Sequence, residues 1–156
     1  MIYNLKKLPI TILIFWSFIA LSQDFSTAGF YQTDSEVRKA MNFNVGWRFI
    51  KKDVQGAEKV DYDDSAWAVV NLPHGLEILP LAASGGINYQ GPAWYRKHFI
   101  ADKKFEGKKV MLHFEGIMGK SKIWINGVLV RKNFGSYYPI HIDISNYLNF
   151  EEQNVI

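Results

Sequence analysis

The sequence predicts an all-β fold, a jelly-roll β-sandwich, and three observations carry that expectation. Six to eight short segments alternate apolar and polar residues, the period of half-buried strands. No long amphipathic helical stretch interrupts them, and turn signals recur at the spacing of all-β domains. Aromatic residues make up 15% of the chain, and aromatic-rich sandwiches of this kind are often jelly rolls.

The 156 residues are 48% hydrophobic and 21% charged, a globular composition with length for one domain. Cysteine is absent, which excludes disulfides, thiol nucleophiles and cysteine metal sites. No metal or cofactor is implied.

Residues 1–22 read as a cleavable export signal. Lys6-Lys7 is followed by an apolar run from Leu8 to Leu21, then by Ala20-Leu21-Ser22 as a small-x-small cleavage site. The run is short for a membrane span, which needs about 20 residues. The expectation is a cut after Ser22, a new N-terminus at Gln23, and a secreted or periplasmic product with no membrane association afterwards. Losing this segment removes two lysines and no acid, so 18 basic residues become 16 against 15 acidic ones. Near-neutral charge without a run of basic residues argues against a nucleic-acid partner.

Residues 23–40 form a polar lead-in, and the folded domain is expected over 41–156. Phe43, Val45, Trp47 and Phe49 share one face of the first predicted strand, Phe43 to Ile50. Asp61 to Trp67 follows a polar connection. Asp63-Asp64 could be paired carboxylates or a metal site, but Asp-Asp-Ser reads better as a turn whose side chains bond nearby backbone N–H groups. Trp67 to Leu72 is a short strand. Gly75 to Pro92 carries Pro80, Gly85, Gly86 and Gly91 and fits neither helix nor strand. Long loops in compact domains are usually functional or disordered. The apolar residues Leu76, Ile78, Leu79, Leu81, Ile87 and Tyr89 argue against disorder.

Ala93 to Phe99 reads as a central strand. Trp94, Arg96 and His98 point to one face and Tyr95, Lys97 and Phe99 to the other. A strand with a large aromatic on each face either buries both or holds one over a ligand. Lys109 to Glu115 alternates with Val110, Leu112 and Phe114 inward and Met111 and His113 outward. Ser121 to Val130 is a hairpin around Asn126-Gly127, whose residues tolerate the positive φ of a tight turn. Ile140, Ile142 and Ile144 share a face, and Asp143 to Leu148 reads as a strand end entering one capped helical turn. Asn154-Val155-Ile156 opens an apolar run, so the sandwich is expected to be truncated at its C-terminal end.

The motifs in order carry more than the pattern. They are Phe43-Asn44-x-Gly46-Trp47-x-Phe49, Asp63-Asp64-Ser65-x-Trp67, Leu72-Pro73-His74, Tyr89-x-Gly91 and Trp94-Tyr95-Arg96-Lys97-x-Phe99. Then come Leu112-x-Phe114-Glu115-Gly116, Trp124-x-Asn126-Gly127, Gly135-x-Tyr137-x-Pro139, Asp143-Ile144-Ser145 and Asn154-Val155-Ile156. Across residues 40–156 the series resembles the N-terminal sugar-binding domain of family 2 glycoside hydrolases, a galactose-binding-domain-like jelly roll. The chain departs from the family with His74-Gly75-Leu76, where His-Asp-Trp is common, and with Asn133 and Ser136, where His and Gly are common. The Leu-Pro-His-Gly form with Trp-Tyr-Arg-Lys-His-Phe looks most like β-galactosidase-type members.

That resemblance implies the non-catalytic front of a retaining glycosidase acting on a carbohydrate substrate. Such enzymes use two carboxyl groups about 5 Å apart. The family places them on a downstream barrel that needs about 250 residues of its own, reached through an immunoglobulin-like domain. No catalytic residue is therefore expected in this chain. Glu115 reads as structural, and Glu77 is the one acid in the long loop. Asn88, Tyr89 and His74 are the candidate substrate contacts: Asn88 offers a donor and an acceptor, Tyr89 a ring face and a phenol, and family loops from this domain approach the active site. The alternative is a stand-alone carbohydrate-binding or interaction module with no barrel.

Overall fold

The computed structural model describes residues 38–76 and 89–156. Among these are nine β-strands and two short 3-10 turns, with no α-helix. The strands are β1 (Trp47–Ile50), β2 (Ala68–Val70), β3 (Trp94–Arg96), β4 (His98–Ile100), β5 (Met111–Phe114), β6 (Gly119–Ile125), β7 (Val128–Gly135), β8 (Ile140–Asp143) and β9 (Gln153–Val155). The 3-10 turns are Lys103–Phe105 and Ser145–Tyr147. The all-β jelly-roll class stands; the export signal and most of the lead-in lie outside the described residues.

β1 is the middle of a three-stranded ladder, flanked by β2 and β3. β4 pairs with β9, β5 with β8 and β6 with β7, all antiparallel. The expected central strand from Ala93 to Phe99 is present as β3 and β4, with a break at Lys97. That residue is where the strand changes partner. Its N–H donates to the Ile156 carbonyl at 2.8 Å and its carbonyl accepts from Ile156 N–H at 3.0 Å. The alternation across the break is as expected: Arg96 and His98 both meet Asp64, while Tyr95 meets Phe49 and Phe99 meets Phe43.

The first strand is shorter than its pattern predicts, starting at Trp47 instead of Phe43. Gly46 has φ +72°, which breaks extended backbone before Trp47. Its N–H is taken by the Asn71 side chain at 3.0 Å, and the Trp47 indole donates back to the Phe43 carbonyl at 2.8 Å. The hairpin is longer than expected, with β7 running on past Val130 to Gly135. Its tip is the expected positive-φ pair, Asn126 at +49° and Gly127 at +80°. The final helical turn is also present, although its cap is Ile144, which makes no side-chain cap bond. Asp143 supplies the local bonds instead, accepting from Ser145 N–H at 3.1 Å and from its hydroxyl at 2.6 Å.

The core lies between the β5–β8 ladder and the β6–β7 hairpin. Leu112, Ile123, Ile125, Ile140, Ile142 and Ile144 are buried together, with Phe43, Phe114, Leu148 and Ile156 packed against them. Leu112 stands opposite Ile142 in the ladder, so the inward faces read from alternation are the ones that pack. Trp94 stacks on Trp124 with ring centres 5.2 Å apart, joining β3 to β6.

Candidate functional site

The polar centre of the domain is built on β3 and β4. Arg96 is 2% exposed. A guanidinium that deep needs a full set of acceptors. Its Nε donates to Asp64 Oδ2 at 2.8 Å, its Nη1 to the carbonyls of Ala57 and of Lys59 (2.9 Å), and its Nη2 points at the Tyr62 carbonyl at 3.4 Å. One side chain thereby pins the segment from Ala57 to Asp64 against the sheet. The Tyr62 ring lies 5.5 Å from the guanidinium carbon and 5.6 Å from Trp67.

His98 extends this network outward. Its Nε2 lies 2.7 Å from the same Asp64 oxygen, and its Nδ1 lies 2.8 Å from Gln153 Nε2. An amide nitrogen can only donate, so Nδ1 accepts and the ring proton sits on Nε2, directed at the carboxylate. Burial alone pushes the Asp64 carboxyl up. The hydrogen bonds of Arg96 and His98, with the guanidinium charge, outweigh it and hold the group below the ordinary carboxylate value.

A cleft of about 490 Å³ opens beside this network, lined by Gly46, Arg48, Tyr62, Asp63, Asp64, Ser65, His98 and Gln153. It has an Asp–His pair but no nucleophile aligned with it. The second imidazole nitrogen belongs to Gln153, and Ser65 is turned to Asp63, whose Oδ1 accepts its N–H at 2.9 Å. A Ser-His-Asp arrangement requires the hydroxyl on the imidazole, and here the imidazole instead joins Asp64 to Gln153. Asp63 matches the turn reading. Asp64 departs from it: this carboxylate is buried and ion-paired. The available signal was Arg96, an arginine in an apolar central strand, which demands a buried acid somewhere in the chain.

The sequence-predicted contacts lie elsewhere. His74 follows β2, and its Nδ1 is 2.8 Å from the Tyr95 hydroxyl, with its ring 4.7 Å from Phe49. Burial raises the Tyr95 phenol above its ordinary value. Tyr89 donates from its hydroxyl to the Pro92 carbonyl at 2.8 Å, and Lys51 Nζ stands 5.0 Å from its ring centre. Tyr89 thus folds back on the Gly91-Pro92 turn. His74 and Tyr89 flank the two described ends of the long loop. Asn88 and Glu77 lie outside the described residues. Glu115 is exposed, just beyond β5.

The described carboxyl groups with a resolved shift are Asp63, Asp64, Asp102 and Asp143, and each is lowered. A glycosidase acid needs the opposite, a carboxyl held protonated near neutral pH. Among the described residues no group of three or more His, Cys, Asp or Glu is placed to hold a metal.

The sequence pattern of the family described as "Glycosyl hydrolases family 2, sugar binding domain" matches residues 53–156. A β-galactosidase of Thermoanaerobacter pseudethanolicus is 40% identical over 113 residues, covering 72% of this chain and 15% of that enzyme. A β-glucuronidase of Formosa agariphila is 36% identical over 132 residues, covering 80% and 13%. Among solved structures, a family 2 glycosyl hydrolase from Bacteroides cellulosilyticus superposes with TM-score 0.65 at 34% identity, over 72% of this chain and 16% of that one. The Bacteroides uniformis β-glucuronidase gives 0.68 at 27% identity, over 74% and 14%. The matched region therefore spans about one seventh of each relative's length.

Proposed function

Because this chain belongs to the family 2 glycosyl hydrolase sugar-binding domains, we propose that it serves as the N-terminal, non-catalytic domain of a retaining glycoside hydrolase of β-galactosidase type. The observation that supports this reading is the pattern of coverage. Relatives that match most of this chain carry it as a small part of enzymes named β-galactosidase and β-glucuronidase. The described carboxylates fit a supporting role, since the shifted ones are stabilised in the charged form. Catalysis then belongs to two carboxyl groups on further domains, with an immunoglobulin-like domain and a barrel as the chain's working partners.

Within that enzyme, the loop from Gly75 to Pro92 forms part of the wall of the sugar site. Asn88 and Tyr89 meet the glycone and His74 holds the base of the loop. Ordering by Tyr95 and Phe49 at one end, and by Lys51 and Pro92 at the other, supports this reading. The test is kinetic, in the full-length enzyme, with nitrophenyl β-galactoside and β-glucuronide compared. Asn88→Ala should lower kcat/KM with little change in melting temperature, because a substrate contact acts on transition-state binding. An early-melting variant with normal turnover would make the loop scaffolding. The β-glucuronide is the second substrate reading, favoured by the Formosa relative. The higher kcat/KM decides between the two sugars. This 156-residue chain alone should hydrolyse neither.

Export is part of the same proposal. A basic flank, an apolar run and Ala20-Leu21-Ser22 support removal of residues 1–22. Mass spectrometry of the exported protein should find Gln23 first, and a retained Met1 in a membrane fraction would overturn it.

A further inference from the structure

The outward face of the β5–β8 ladder carries a feature that neither the core nor the polar network uses. His113 of β5 and His141 of β8 are register partners. Their Nδ1 atoms face each other 3.1 Å apart, with ring centres at 4.5 Å. Alternation puts both on the side away from Leu112, Ile140 and Ile142, with His141 exposed and His113 half-buried. In the ligand-free pair one ring donates its Nδ1–H to the other.

We propose that His113 and His141 form a two-imidazole chelate for a borderline divalent transition ion, with Cu²⁺ preferred over Ni²⁺ and Zn²⁺. An ion about 2.0–2.1 Å from both nitrogens, given their 3.1 Å separation, sees them at roughly 100°. That angle lies between those of octahedral and tetrahedral neighbours, so neither strand has to move. Binding needs no net loss of a proton: the donating ring shifts its proton from Nδ1 to Nε2, and both Nδ1 lone pairs then face the metal. Imidazole nitrogen suits copper, nickel and zinc and leaves Mg²⁺ and Ca²⁺ aside, and the preference among the former follows the general affinity order of N-donor sites. Among the described residues no third His, Cys, Asp or Glu joins the pair. The backbone ladder already holds the rings in place, so the second imidazole binds as an intramolecular ligand at high effective concentration. The ion would bridge two strands that pair with each other, which ties metal binding to the stability of this ladder.

The test uses the full chain without a polyhistidine tag, titrated with Cu²⁺, Ni²⁺, Zn²⁺ and Mg²⁺. Of the chain's four histidines, the two of the pair are substituted, His74 serves as the control, and His98 has both ring nitrogens engaged by Asp64 and Gln153. Copper should show two-nitrogen hyperfine coupling in electron paramagnetic resonance and should raise the melting temperature. His113→Gln and His141→Gln should each weaken copper binding at least about tenfold through loss of the chelate and leave single-nitrogen spectra, while His74→Gln changes neither. Circular dichroism confirms that the variants remain folded. Unchanged affinity in His113→Gln or His141→Gln, a single-nitrogen signal in the parent, or an equal loss in His74→Gln would overturn the assignment.

Discussion

Replacing Asp64 with alanine removes the acid that balances the most deeply buried cation described in the fold. Arg96 keeps its backbone acceptors at Ala57 and Lys59 but loses the one negative charge at hydrogen-bond distance, 2.8 Å from Nε. His98 loses the acceptor of its Nε2–H at 2.7 Å. Breaking a buried pair from one side typically costs about 3–5 kcal/mol, because the remaining charge is left desolvated. For a domain of this size that lowers the melting temperature by on the order of 10–20 °C. The assay is thermal unfolding followed by near-ultraviolet circular dichroism, with tryptophans at positions 47, 67, 94 and 124 as reporters. Asp63→Ala is the internal control: the adjacent, exposed carboxylate holds a turn at Ser65 and its loss should move the midpoint far less. The double variant Asp64→Leu/Arg96→Met should recover much of the lost stability, since removing both charges leaves none unpaired. If Asp64→Ala unfolds within a degree or two of the parent, or the double variant is worse than Asp64→Ala, the ion pair is not what holds the segment from Ala57 to Asp64.

The acid limb of stability should carry the same signature. The folded Asp64 carboxyl lies below its unfolded value of about 3.9, so its contribution is complete above that pH and is lost as pH falls through the folded value. Asp64→Asn should flatten that part of a denaturation-midpoint profile, and an identical slope in both proteins would refute the assignment. Asn154, 0% exposed, accepts from Asn126 Nδ2 and Asn149 N–H and donates to the Asn149 and Glu152 carbonyls. Asn154→Ala should cost at least about 2 kcal/mol in urea unfolding through stranded partners, and a smaller loss would mean that solvent replaces them. Gly135 has φ +148°, and a Cβ there meets the Tyr138 ring. Gly135→Ala should therefore displace Tyr138 and disorder the end of β7, seen as faster amide exchange at Phe134 and Gly135, and unchanged protection would show that the ring yields freely.

The all-β class, the inward faces of β5 and β8 and the tip of the β6–β7 hairpin were legible in the sequence. All three depend on local rules: strand alternation is a property of neighbouring residues, and Asn126-Gly127 satisfies positive φ by its own chemistry. The two faces of the central strand were legible for the same reason, and Arg96 and His98 share one as alternation requires. The order of motifs carried the family resemblance that the comparisons bear out.

What the local pattern left open was decided by partners far along the chain. Asp63 and Asp64 are sequence neighbours of the same chemistry, yet one holds a surface turn and the other a buried ion pair. The difference lies in Arg96 and His98, which reach Asp64 across 32 and 34 positions. At Lys97 the strand exchanges β1 for the Ile156 end of the chain as its partner, a choice set by sheet order and not by lysine itself. Asn126 is fitted to its turn, but its side chain also donates to Tyr147 and Asn154 and accepts from Val155 N–H, tying the hairpin tip to β9. The His113–His141 pair exists only because the β5–β8 register sets two outward-facing positions opposite each other. Alternation assigns a side chain to a face, whereas the partner it meets there depends on strand order and register. Those follow from packing whole faces together, and only the tertiary fold supplies them.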